Sequence, residues 1–238
     1  MLALLLGVLL ASQGQCLPAS IARLSQASVL ASRLDIAGAV ALLRDAADCD
    51  DAKVNGLYLQ GLLDAGAAAR VGGTAEALAP VRKAIAALEV IAGSQLGPAE
   101  IARLTLRAAA AASQTERDEM RLYLESAVRM ETLLASIGQR PVLVVPAMEV
   151  AGSLWLQVDR YAEAQRAYQD AAKQHGMSLA TTFGLARTSS RLGDTATACR
   201  GYRAFLEGWG SAFVESPEIV EARTYLSRLE CMTPPGQP

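Results

Sequence analysis

Three features of the sequence predict an all-α fold of stacked helical hairpins. Half of the 238 residues are apolar (52 %), and this fraction is dominated by Ala and Leu, with aromatics at only 5 %. Ala and Leu form helices readily, whereas the β-branched and aromatic residues that favour strands are sparse. Helical stretches follow one another with short breaks rich in Gly and Pro, and no strand-like run lies between them. Finally, residues 145–178 and 179–212 align with each other at a spacing of 34 without a gap.

The pattern predicts helices over 18–33, 36–48, 52–70, 74–92, 98–113, 115–137, 142–158, 161–175, 178–192, 195–208 and 217–230. The breaks between them carry turn chemistry: Gly72-Gly73, Gly93, Gly97-Pro98, Gly138 with Pro141, Gly176, and Gly193-Asp194. Ser216-Pro217-Glu218 places Ser at an N-cap and Pro at the first helical position. Pro80 interrupts a helical pattern, so that helix either kinks or starts later than residue 74. The Pro- and Gly-bearing stretch 232–238 is expected to be a disordered tail.

Leu2–Ala11 is an uninterrupted apolar run followed by Ser-Gln-Gly. It is about half the length needed to span a bilayer but matches the apolar core of a signal peptide, with small residues at Ser12 and Gly14. Residues 1–14 are therefore read as a signal peptide of an exported, periplasmic or extracellular protein, although no Lys or Arg precedes the run. If the run is not a signal, the chain is cytoplasmic. Gln15 before Cys16 argues against lipoprotein processing, which prefers a small residue there.

Within the two aligned units, Ala151-Gly152 lines up with Leu185-Ala186, Asp159-Arg160 with Gly193-Asp194, Ala164 with Ala198, and Tyr168 with Tyr202. Gly152, Ala186, Ala164 and Ala198 let paired helices approach closely, while Trp155, Tyr168, Phe183 and Tyr202 fill the groove to the next hairpin. Together with Tyr161-Ala162-Glu163-Ala164-x-x-x-Tyr168-x-x-Ala171, these residues resemble the tetratricopeptide repeat family over 145–212. Met148 and Thr182 replace the family's first-helix Trp, and Gly176 stands where its closing Pro is usual. Second-helix echoes occur at Asp35–Ala46, Glu76–Ala84 and Glu119–Ala127, with equivalent positions 39, 77, 120 and 164 spaced by 38, 43 and 44. The resemblance implies a right-handed superhelical solenoid of about five antiparallel hairpins over 15–231, closed by a capping helix at 217–230. A generic helical bundle is the alternative.

The four cysteines pair by sequence into Cys16/Cys49, 33 apart, and Cys199/Cys231, 32 apart. Four cysteines allow three connectivities, and the hairpin map favours these two. Cys16 precedes the first helix and Cys49 ends the second; Cys199 starts one helix and Cys231 ends the antiparallel helix after it. Both bridges would staple an end of the array. Reduced, buried thiols are the alternative.

Catalytic patterns are scarce. Gly72-Gly73-Thr74 lacks the lysine and spacing of a phosphate loop, and Ala151-Gly152-Ser153-Leu154-Trp155 lacks the second glycine of a nucleophile elbow. No C-x-x-C spacing occurs, and the single histidine, His175, rules out multi-histidine metal sites. His175 is read as a solvated residue in the last turn of a helix. Asp48, Asp50 and Asp51 are read as a solvated loop, and Glu116, Asp118 and Glu119 as a helix N-terminal turn. Neither a catalytic residue nor a metal or cofactor is expected. A net charge of −2 argues against nucleic acid as a ligand, and no run is long enough to span a membrane.

What remains is a binding surface. The resemblance places partner contacts on the first helix of each hairpin: Glu149, Ser153, Leu156 and Gln157, then Phe183, Arg187, Ser190 and Arg191. Arg187 and Arg191 are four apart and project from one face, so they suit a carboxylate or an acidic segment. The family's lysine-and-asparagine carboxylate clamp is absent. The expected function is a non-enzymatic protein-interaction scaffold of the cell envelope. The alternatives are a helical accessory subunit of an envelope enzyme system and a self-associating structural solenoid.

Overall fold

The computed structural model describes residues 16–44, 46, 49–93, 97–139, 143–210, 216–228 and 231. Residues 1–14 and 232–238, read above as signal peptide and tail, lie outside them. Eleven helices and no strand occur among the described residues: α1 (Pro18–Ser32), α2 (Ile36–Arg44), α3 (Asp50–Arg70), α4 (Ala79–Ala92), α5 (Pro98–Ser113), α6 (Arg117–Ser136), α7 (Ala147–Gln157), α8 (Tyr161–His175), α9 (Leu179–Arg191), α10 (Thr195–Trp209) and α11 (Pro217–Leu226). The helices match the predicted order, with shorter ends. Pro80 lies in the first two positions of α4, where its missing N–H costs nothing, so that helix starts late and does not kink. α7 begins only after Pro146, at Ala147, because a proline at the N-cap restricts the residue before it to extended backbone.

Five turns of one design join α1–α2, α3–α4, α5–α6, α7–α8 and α9–α10. Each turns through the left-handed region at Leu34 (φ 65), Gly72 (φ 80, followed by Gly73 at φ 64), Thr115 (φ 62), Asp159 (φ 62) or Gly193 (φ 79). The following N–H reaches back five residues in every case: Asp35 to Leu30, Gly73 to Ala68, Glu116 to Ala111, Arg160 to Trp155 and Asp194 to Ser189, all at 2.9 Å. This is the Schellman closure of a helix C-terminus. Ala39, Ala77, Met120, Ala164 and Ala198 each stand five residues after the left-handed residue. The irregular spacing in the sequence therefore counts whole hairpins of unequal length.

Every helix packs against its sequence neighbours. The first helices of the hairpins also touch each other, in the order α1–α3–α5–α7–α9, and α9 returns to α1. The second helices form the outer layer. One core cluster runs from Leu24 to Val158; a second joins Phe183, Tyr202, Phe205 and Tyr225 from α9, α10 and α11. Leu34, in the first turn, packs against that second cluster, so the first hairpin meets the last.

Close approach is set by glycine where an aromatic ring intrudes. The Tyr168 ring fills the space between α7 and α9: a Cβ on Gly152 would lie 2.7 Å from it, and one on Gly184 would collide with its far edge. Buried polar groups fasten the joints between hairpins. The Glu131 carboxylate, 1 % exposed, accepts the Ala147 and Met148 N–H groups at 3.0 and 3.1 Å, capping α7 from α6. Asn55 of α3, fully buried, accepts the Val144 N–H at 2.7 Å and donates to the Asp51 carbonyl.

Both cysteine pairs are bonded as the sequence suggested: Cys16–Cys49, with Cα atoms 4.8 Å apart, and Cys199–Cys231, at 5.6 Å. Their placement differs in detail. Cys49 is the N-cap of α3 and not the end of α2, and Cys231 lies beyond the end of α11. Asp50 and Asp51 likewise belong to the first turn of α3 and not to a loop, Asp50 exposed and Asp51 half-buried, where acids complement the helix dipole; Asp48 lies outside the described residues. Burial and the neighbouring Asp50 push the Asp51 carboxyl above its ordinary value.

Two tests follow from this packing. Replacing either cysteine pair by serine lowers stability by about 2–4 kcal/mol through the unfolded chain, read from urea unfolding of each variant. Gly152→Ala or Gly184→Ala costs about 1–3 kcal/mol in the same assay, because the Tyr168 ring is boxed in. Gly66→Ala, whose Cβ meets nothing within 4 Å, changes sign and stabilises α3 by about 0.5–1 kcal/mol.

Candidate binding site

The ring of first helices encloses a cavity of about 570 Å³, within the size range of small-molecule and side-chain pockets. Its floor is apolar: Ile36 from α2, Leu62 and Ala65 from α3, Val150 and Leu154 from α7, and Phe183 from α9. Its mouth is polar, and most of the mouth comes from α7 and α9.

Seven of the eight residues assigned to the binding face line this cavity: Glu149, Ser153, Leu156, Gln157, Phe183, Arg187 and Arg191. Ser190 does not; it sits one residue off that face of α9. Ser153, Gln157 and Arg191 are exposed at the rim, Leu156 is half-buried, and Phe183 is buried in the wall. The spacing of three and four residues puts these side chains on one stripe of each helix.

Three of the seven are already engaged, Ser153 by donating its hydroxyl to the Val150 carbonyl at 2.8 Å. One Glu149 oxygen accepts the hydroxyls of Ser178 and Thr181, both at 2.6 Å, while Ser178 caps α9 by accepting the Thr181 N–H at 2.9 Å. The acid of α7 thus sits at the N-terminus of α9, where the dipole favours it. Arg187 Nε lies 3.1 Å from Glu221 Oε1 of α11, and the Tyr202 hydroxyl donates to the same oxygen at 2.9 Å. With side chains 41 % and 36 % exposed, this ion pair is worth only about 0–1 kcal/mol. Arg187 is thus shared with Glu221 through Nε alone. Arg191 makes no hydrogen bond or ion pair among the described residues.

The sequence missed two contributors. Tyr168, read as groove filler, also lines the cavity; it is 5 % exposed and its hydroxyl has no hydrogen-bond partner among the described residues. Burial foremost, then the Glu149 charge, pushes that phenol well above its ordinary value, while Arg187 opposes the shift. Glu218 of α11 also reaches the cavity wall, and no local pattern links it to residues thirty positions earlier. His175 stands where it was read, exposed in the last turn of α8, and its Nε2 also lies 3.7 Å from the buried Glu131 carboxylate.

Among the described residues no three His, Cys, Asp or Glu side chains are grouped to hold a metal ion, and no helix is long and apolar enough to cross a membrane. No protein-family model matches the chain, and neither a curated protein nor a solved structure matches it. Two bonded cysteine pairs fit an oxidising compartment.

The buried phenols give the molecule an alkaline limit. Tyr58, Tyr168 and Tyr202 are all held above the ordinary tyrosine value, burial being the largest cause for each. A raised pKa means the unfolded chain loses these protons first. Their contribution is complete below about pH 10 and is lost as pH climbs from there towards the folded values. Phenolate absorbance should show these three tyrosines silent until the helical signal collapses, and stability falling with pH above about 10. Smooth ionisation with helicity intact would contradict their burial.

Proposed function

We propose that the chain is a non-catalytic, tetratricopeptide-like interaction scaffold of an exported compartment, which binds a partner protein at the mouth of the central cavity. The observation that carries this reading is the convergence of seven binding-face residues, from two hairpins, on one cavity with a free guanidinium at its rim. A partner side chain entering there buries apolar surface against Leu154 and Phe183, worth about 25 cal/mol per Å². The unpartnered Tyr168 hydroxyl offers a donor within the wall, and Arg191 offers a charge-assisted contact to a carboxylate. Energy concentrated in a buried anchor with a charged contact beside it is the usual arrangement of a binding hot spot.

The two disulfides support the exported setting, since such bonds persist where thiols are not kept reduced. The scaffold reading also fits the way the polar groups are used: Glu131, Glu149 and Asn55 are occupied in fastening helices to each other.

Affinity capture from an envelope extract tests this, with wild-type, Arg191→Glu and Leu154→Glu proteins as parallel baits. A partner held at the cavity is lost from both variants, about tenfold or more in recovery. A partner retained equally by all three folded baits places binding elsewhere and sinks the assignment.

A further inference from the structure

The closing helix α11 stands at the cavity with a definite chemistry. Its apolar side, Ile219, Ala222 and Tyr225, packs on α10. The chain just beyond it is anchored by the Cys199–Cys231 bond and by Arg203, which donates to the Cys231 carbonyl. The remaining edge carries Glu218 and Glu221, three residues apart and hence neighbours on one helix face. Glu218 lines the cavity and Glu221 holds Arg187. An acidic helix of this chain therefore already occupies one of the two guanidinium groups at the mouth.

Arg187 and Arg191 are separated by one turn of α9, about 6 Å along its axis. Two carboxylates one turn apart on a facing helix have the same separation. Glu149, Asp159 and Glu218 also line the cavity, so the site does not simply attract anions. Glu221 reaches Arg187 through Nε alone, so a second acid there shares the guanidinium with Glu221 and meets its charge, whereas Arg191 has no partner to share.

We infer that the mouth takes a partner helix presenting two carboxylates one turn apart beside an apolar side chain, and that α11 is the built-in competitor, with Glu221 weakening the hold of Arg187 on a partner carboxylate. This rests on the cavity mouth being the partner-binding site. Its occupant is named by chemistry: an acidic amphipathic helix.

The test uses the oxidised full chain and a fluorescein-labelled, helix-favouring Ala/Leu peptide with two Glu four residues apart, alongside the same peptide with Gln at both positions. Fluorescence anisotropy should show Glu221→Gln binding the Glu peptide about 2- to 5-fold more tightly than wild type. The Arg187→Gln/Glu221→Gln double variant should lose that gain. The Gln peptide should bind weakly and ignore Glu221→Gln. Glu207→Gln, which removes an exposed acid of α10 away from the cavity, should stay within about twofold of wild type and so measures the general effect of charge. Tyr202→Phe, which frees Glu221 of one anchor while keeping the ring, should give a smaller gain and serves if Glu221→Gln unfolds. Equal or weaker binding by a folded Glu221→Gln protein, or an equal gain from Glu207→Gln, overturns the competitor role. Failure of every form to bind the Glu peptide overturns the acidic-helix occupant. The Arg191 dependence of a captured partner is scored separately, and decides the scaffold reading on its own.

Discussion

The molecule depends on one backbone constraint, repeated five times: a left-handed residue that ends each first helix and turns the chain into the second. The following N–H closes the turn at 2.9 Å in all five hairpins. Glycine supplies the conformation in two of them, while Leu34, Thr115 and Asp159 adopt it at a cost of about 1–2 kcal/mol each. That cost is tolerated because the closure satisfies carbonyls that a helix end otherwise leaves without partners. Of the two helices in each hairpin it is the first that meets its counterparts: α1, α3, α5, α7 and α9 touch in sequence. The cavity is what the inner helices leave between them.

Legibility in the sequence follows from this division. Spacings of 38, 43, 44 and 34 were visible because every turn keeps a small or apolar residue at a fixed distance beyond its left-handed position, whatever the helix lengths. The cysteine pairs were visible because hairpin geometry brings residues about thirty apart together. The tertiary fasteners were not visible. Glu131 to α7, Asn55 to Val144 and Arg187 to Glu221 join residues 16 to 89 positions apart through side chains whose local surroundings look like ordinary helix surface. Glu149 and Arg187 were placed on the face that lines the cavity, but a face does not reveal which of its charges are already taken. Asp51 erred the same way: it was read in a solvated loop, and it is a partly covered residue in the first turn of α3.

The acids at the inner helix starts show how such a ring tolerates buried charge. An ionised carboxylate with 1 % exposure is costly unless it is fully hydrogen-bonded. Glu131 meets that condition with two backbone N–H groups of α7, which a helix start otherwise leaves without partners. Glu149 repeats the arrangement one hairpin later, through the hydroxyls of Ser178 and Thr181. Each acid belongs to an element preceding the helix it serves, so it ties consecutive units together and fixes the entry of the next inner helix. These two residues consequently set the position of the α7 and α9 stripes, and with them the geometry of the mouth.

Ring closure changes what the disulfides do. In an open repeat array the two ends are far apart and fray independently, each lacking a neighbour. Here α9 returns to α1, and Leu34 packs against the aromatic cluster of the last hairpins. This seam joins residues more than a hundred positions apart, so it is the contact whose closure most restricts the chain. Cys16–Cys49 ties the entry of α1 to the N-cap of α3, and Cys199–Cys231 ties the start of α10 to the segment beyond α11. The two bonds therefore flank the seam on either side. Neither crosses it, so the seam itself is closed by non-covalent packing alone, Leu34 against the aromatic cluster and α1 against α9.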